Sequence, residues 1–160
     1  MGLDEQERRV VDLVDKHGWT VMQVSPNLGD SGPRWFAYTV GLSVTHRWPE
    51  LICFGLPLDV MTELLHNAVR EMKESGTEPL AGRTLYDVVE NFPVRLEDFP
   101  DRHFHTHLGW ATWFASRREV ARKDFHCLQL LWPDKAGHFP SNASCTAGIR
   151  DCQTPSDTLN

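Results

Sequence analysis

No apolar run in this chain approaches the roughly 20 residues a membrane-spanning helix requires, and its opening, MGLDEQERRVV, lacks the apolar core of a secretory signal. The expected setting is therefore cytoplasmic, with no membrane partner. Basic charge is scarce as well. A formal net charge of -6 gives no basic face for neutralising phosphates, which argues against nucleic acid as a partner. The four cysteines, Cys53, Cys127, Cys145 and Cys152, form no CxxC pair and are too few for a disulfide scaffold. Phosphate-loop, GxGxxG, GxSxG and paired-carboxylate spacings are missing, so phosphate-loop nucleotide binding and serine hydrolase chemistry have no support. Internal repeats, low-complexity runs and heptads are absent too.

What remains is enough for one core. The 160 residues suit a single domain, and six Trp and eight Phe against two Tyr make its apolar fraction unusually aromatic. Eight His are the other compositional oddity. Residues 1–140 read as a single α+β domain, with a mixed or antiparallel sheet of about five strands covered by about three helices. Residues 141–160, small and polar, read as a loosely attached C-terminal tail.

The periodicities locate these elements. Residues 4–17 place Val10, Leu13 and Val14 at helical spacing behind acids suited to a helix N-terminus, and Gly18 is ready to end the helix. WTVMQVS, 19–25, is a strand, and PNLGDSGPR after it is a surface loop. WFAYTVGL, 35–42, alternates so that Trp35, Ala37, Thr39 and Gly41 share one face of a strand. ELICFGL, 50–56, is an apolar central strand reached through a polar connection, SVTHRWP. Residues 58–75 carry an apolar stripe from Val60 to Met72 and form the clearest helix, with Asp59 as a capping candidate and Gly76 as its stop. LYDVVENFPVRLEDF forms one long strand or a hairpin, broken by Pro93 and Pro100. FHCLQLLW, 125–132, is the last strand.

The stretch DRHFHTHLGWATWFASRR admits two readings. A strand sets His103, His105 and His107 on one face; a helix over 102–117 stacks His103 and His107 at i, i+4 and turns His105 away. The helical spacing of Phe104, Leu108, Ala111 and Ala115 favours the helix. His103 and His107 are then candidate metal ligands at HxxxH spacing, implying a divalent metal ion as cofactor, with His46, Glu50, His126 or His138 as the third ligand. A zincin site also wants a Glu after the first His, where Phe104 stands, and the alternative is a pair of exposed or singly hydrogen-bonded histidines on a wet helix end.

Two further segments carry candidate chemistry. His46 and Glu50 enclose the turn THRWPE, where an imidazole and a carboxylate can meet as an oriented general base, or form an ordinary loop pair. Tyr38 sits among apolar neighbours and needs a partner for its hydroxyl, in the core or in a pocket. Gln129 is the single polar residue of CLQLLW and needs its amide satisfied. Asp134, after Trp132 and Pro133 at the strand's end, is either a catalytic acid reaching into a crevice or an Asx-turn residue binding its own backbone.

Taken together, WFAYTVGL, HRWPELICFGLP, LGWATWF and QLLWPDKAGHFP, in that order, resemble an uncharacterised, mainly bacterial family catalogued as domain of unknown function 4262. The resemblance spans most of residues 8–140, implies a compact α+β domain in a bacterial cytosol, and brings no established reaction. Relatives usually carry Trp and an acid after the last Pro, whereas Ser141 and Asn142 follow Pro140 here.

The expected function is recognition or modification of a small molecule or peptide in a pocket between the Tyr38–Glu50 and Gln129–Asp134 segments. His46, Glu50 and Asp134 are its catalytic candidates, and Tyr38, Gln129 and Trp132 its ligand contacts. A noncatalytic accessory or immunity-type module, engaging a partner protein such as a biosynthetic enzyme, is one alternative. A histidine-based metal enzyme is the other.

Overall fold

The computed structural model describes residues 2–25 and 35–155, so the loop expected over 26–34 and the final residues 156–160 lie outside the described part. The first helix, α1 (Glu5–His17), starts where its sequence says it should. The Asp4 carboxylate accepts from the Glu7 N–H and the Glu7 carboxylate from the Asp4 N–H, a reciprocal cap, and Gly18 closes the helix in a left-handed conformation. Then follow β1 (Thr20–Val24), β2 (Phe36–Val40), α2 (Leu42–Thr45), β3 (Glu50–Phe54), α3 (Leu58–Ser75), β4 (Thr84–Leu85) and β5 (Val94–Asp98). The chain ends with α4 (Phe104–His107), α5 (Gly109–Arg117), β6 (Cys127–Leu131) and α6 (Ala147–Cys152), with single 3-10 turns at Asp101–His103 and Arg122–Asp124.

The strands form one mixed sheet in the order β1-β2-β3-β6-β5-β4. Every neighbouring pair is antiparallel except β3 with β6, which run parallel with Glu50 opposite Cys127. The α+β class holds, with six strands rather than about five because the two-residue β4 pairs with β5 as a hairpin, Leu85 opposite Val94.

Strand alternation divides the core into two layers. On one face Ala37, Leu51, Cys53, Leu128 and Leu130 meet the α3 stripe of Met61, Leu64, Leu65, Ala68, Val69 and Met72, with Ile149 and Cys152 of α6 packed at the edge. On the other face Phe36, Tyr38, Val40, Ile52 and Phe54 meet Val10 and Val14 of α1 and Ala111, Phe114 and Ala115 of α5. Arg118 ties these outer helices with a 2.8 Å ion pair to Asp15.

Three expectations change in detail. The helix expected over 102–117 is two α-helical segments broken at Leu108, where ψ of 36° departs from helical values. The connection SVTHRWP begins with α2, because β2 ends at Val40 and Gly41 turns the chain at φ 106°. The expected tail carries a short helix, α6, flanked by two buried residues, Cys145 and Gln153.

Candidate functional site

The chain at Thr39–Ser43 leaves β2 and enters α2, so the N–H groups of its first turn have no intrahelical acceptor. Glu50, at the head of β3 and 0% exposed, supplies one. Its Oε1 accepts from Thr39 Oγ1 at 2.7 Å and Leu42 N at 3.2 Å; its Oε2 accepts from Gly41 N at 3.2 Å, Ser43 N at 3.0 Å and Ser43 Oγ at 2.8 Å. A carboxylate contributed from another element thus caps a helix whose own N-cap, Gly41, has no side chain. Burial pushes the Glu50 carboxyl above its ordinary range, opposed by the donors from Ser43, Thr39 and Leu42. The same burial, with Glu50 nearby, pushes the Cys127 thiol well up.

His46 does not join it. Both Glu50 oxygens are turned toward the start of α2, and the His46 ring lies instead 5.1 Å from the Trp48 ring, its pKa lowered by burial and then by the Lys73 charge. The oriented general base expected from THRWPE is therefore not assembled. Tyr38 takes the core role: its hydroxyl accepts from the Trp110 N–H at 3.2 Å, and burial raises its pKa to about 12.

The other expected half is filled by the chain itself. Trp132 donates its indole N–H to Phe54 O at 2.9 Å, its backbone N–H goes to Gln153 Oε1 at 2.9 Å, and its carbonyl accepts from Gln153 Nε2 at 2.8 Å. Gln129 Nε2 donates to Gln153 O. The amide expected to meet a ligand thus meets the C-terminal segment. Tyr38 and Trp132 also lie in the cores of opposite faces of the sheet.

Asp134 is an Asx-turn residue that also holds Thr146. Oδ1 accepts from Ala136 N at 3.0 Å and His138 N at 2.9 Å, while Oδ2 accepts from Thr146 N at 3.0 Å. The His138 and Thr146 N–H groups lead in lowering its pKa to about 2. A depressed carboxylate adds stability above its unfolded value, near 3.8, and loses it as pH falls through the folded value. Asp134→Asn is accordingly expected to flatten the acid limb of the stability curve between those values. Urea unfolding in a pH series measures it, and an unchanged limb would count against the assignment.

His103 and His107 do stack at i, i+4, but inside the core rather than on a wet helix end. They are 4% and 3% exposed with ring centroids 5.9 Å apart. Phe36, Phe54 and Phe99 surround His107 at 5.1, 5.6 and 5.7 Å, and its Nδ1 sits 2.8 Å from Thr106 Oγ1. Among the described residues no group of three His, Cys, Asp or Glu is placed to hold a metal ion. None of His46, Glu50, His126 and His138 therefore completes a site with the pair.

A cleft of about 570 Å³ lies elsewhere, at the end of β5 and the start of β6. Phe99, Phe104, Phe125 and Cys127 are its buried lining; Asp98 and Asp101 come from the end of β5 and the turn after it, Arg122, Lys123 and His126 from the segment leading into β6. A smaller hollow of about 240 Å³, reached past Arg122 and Phe125, runs on along α5 to Thr112 and Ser116. Of these charged and basic residues only His126 stood among the expected site residues, as a possible third metal ligand. The signal was present in SRREVARKD, a cation-rich link between helix and strand in an acidic chain.

The model of a family described as a domain of unknown function (DUF4262) matches residues 13–146. No curated protein and no solved structure matches the chain.

Proposed function

We propose that this chain, which belongs to the DUF4262 family, recognises a zwitterionic small molecule or the end of a peptide in the cleft between β5 and β6, by binding rather than by chemistry. The observation carrying the reading is that one cleft is lined by acids, by basic side chains and by three phenylalanines. Asp98 and Asp101 suit an ammonium, Arg122, Lys123 and His126 suit a carboxylate, and Phe99, Phe104 and Phe125 supply apolar surface between them. At about 570 Å³ the cleft falls within the range that holds small ligands, and the hollow beyond Arg122 gives room for a second residue of a peptide.

The noncatalytic part follows from what the reactive groups are doing. Glu50 and Asp134 are held by backbone donors of their own chain. Cys127, the thiol in the cleft, has its pKa pushed well up, and a neutral thiol is a poor nucleophile. A ligand here meets charge and aromatic surface without an activated attacking group.

The test is a nitrogen-15 NMR titration of the full chain with free amino acids and dipeptides. The ligands that bind are expected to shift resonances around Phe99, Arg122 and His126. The exposed double change Arg122→Glu with Lys123→Glu is expected to weaken them about tenfold, the loss of a charge-assisted contact. Shifts confined to other surfaces, or affinity unmoved by the charge reversal, would overturn the proposal.

A further inference from the structure

The opposite face of the sheet carries a second hollow of different chemistry. On α3, His66, Arg70 and Lys73 follow one another at i, i+4 and i+7, the spacing that keeps them on one side of the helix, next to buried Val69. Trp19, the residue between Gly18 and β1, lies across from them half-buried, its ring 4.7 Å from the His66 ring at 40°. Between them runs a groove of about 430 Å³, lined by Trp19, His66, Val69, Arg70, Lys73 and Glu74.

An ordinary explanation accounts for part of this. Trp19 covers the α3 core layer, and long cationic stems commonly lie along apolar surface. It leaves the charges unexplained. Among the described residues neither Arg70 nor Lys73 has an acid within ion-pair distance; Arg70 donates to the neutral Asn67 Oδ1 at 2.6 Å, and Asn67 is itself held by Val88 O at 3.0 Å. Glu74 on the rim offsets one charge, which leaves the groove net positive on a chain whose net charge is -6. Two cations without acid partners beside an open indole and an imidazole match a flat ring that carries an anion.

We propose that this groove binds a planar aromatic anion, its ring against Trp19 and His66 and its phosphate or carboxylate on Arg70 and Lys73. The site is independent of the β5–β6 cleft, since Trp19 and Val69 belong to the core of one face and Phe99, Phe104 and Phe125 to that of the other. It needs no phosphate-binding loop, because side chains rather than backbone N–H groups meet the anion.

Four probes separate the parts of the claim: adenosine monophosphate, indole-3-carboxylate, adenosine and inorganic phosphate, each titrated into the full chain while the Trp indole N–H resonances are followed. At least one of the two anionic aromatics is expected to shift the Trp19 resonance, and to bind about tenfold more tightly than adenosine or phosphate alone. Which of the two does so distinguishes a phosphate from a carboxylate source. Arg70→Glu with Lys73→Glu, at exposed positions, is expected to remove that advantage, and Arg122→Glu with Lys123→Glu to leave it intact. Arg70→Gln with Lys73→Gln serves if the reversed pair folds poorly. Silence of Trp19 toward both anionic aromatics, equal binding of adenosine, or indifference to both α3 variants would overturn the proposal.

Discussion

Glu50→Ala is expected to remove about 3–5 kcal/mol of stability, a large share of the roughly 5–15 kcal/mol a domain holds. The carboxylate is the common acceptor for three backbone N–H groups and two hydroxyls, all enclosed. Alanine leaves the N–H groups of Gly41, Leu42 and Ser43 buried without an acceptor, and each such loss costs about 1–3 kcal/mol. Glu50→Gln keeps the shape and one acceptor oxygen and is expected to cost less. It also isolates the pH behaviour. A carboxyl whose folded pKa is raised adds stability fully present below its unfolded value, near 4.5, and lost as pH rises through the folded value. The advantage of wild type over Glu50→Gln should therefore be greatest in acid and shrink toward neutral pH. Urea denaturation of all three proteins at acid and neutral pH measures both effects. A Glu50→Ala protein as stable as wild type would refute the capping role.

Gly41→Ala is expected to cost about 2–5 kcal/mol, combining backbone strain with overpacking. At φ 106° the backbone occupies a region that side chains avoid, and an added Cβ would stand 2.7 Å from Val14 Cγ1, 3.1 Å from Gly18 O and 3.2 Å from Trp19 Cα. Val14 sits in α1 with a stiff, branched side chain, and the other two contacts are the backbone where α1 hands over to β1. Trimming the neighbour should help only in part: Gly41→Ala with Val14→Ala is expected to relieve the methyl clash and keep the strain. Gly76→Ala is the comparison, also at positive φ but with nothing within 4 Å of the new Cβ, and should cost about 1–2 kcal/mol. Thermal melts of the four proteins give the ranking, and equal losses at the two glycines would show that crowding contributes nothing.

The same two residues mark where sequence reasoning stops. Long, strongly periodic or well-capped segments were legible: α1 through its acids and Gly18, α3 through its stripe, β3 and β6 through apolar runs too short for helices. Gly41 read as the end of an alternating strand, since nothing local states that a carboxylate nine residues on will cap the turn it makes. Glu50 read as the carboxylate partner of a general base for the mirrored reason. A carboxylate heading an apolar run signals either chemistry or a buried cap, and only the return of Thr39 and Ser43 to its side decides between them.

Asp134 was evenly poised between turn and acid, and its contacts with Ala136 and His138 are those of the turn. His103 and His107 kept the predicted helical spacing, yet their surroundings come from Phe36, Phe54 and Phe99, distant in sequence. The C-terminal segment escaped notice because amides and backbone groups anchor it, and hydropathy patterns do not register those. The cleft lining was missed for a related reason: Asp98 and Asp101 end and follow β5, Arg122 and Lys123 precede β6, and the two segments line one cleft only once β5 and β6 are paired.

That pairing order bears on how the protein is made. β1, β2, β3 and α3 leave the ribosome as a contiguous half-sheet, while β6, the strand that covers the outer edge of β3, emerges only after β4, β5, α4 and α5. Closing the seam of Glu50 against Cys127 carries the longest loop of any strand pair in the sheet, so local contacts offer it little help. Until it closes, ELICF is an uncovered apolar edge of the kind that recruits strands from neighbouring chains. The nascent chain is therefore most exposed to misassembly during synthesis of its middle third, before the cleft between β5 and β6 is formed.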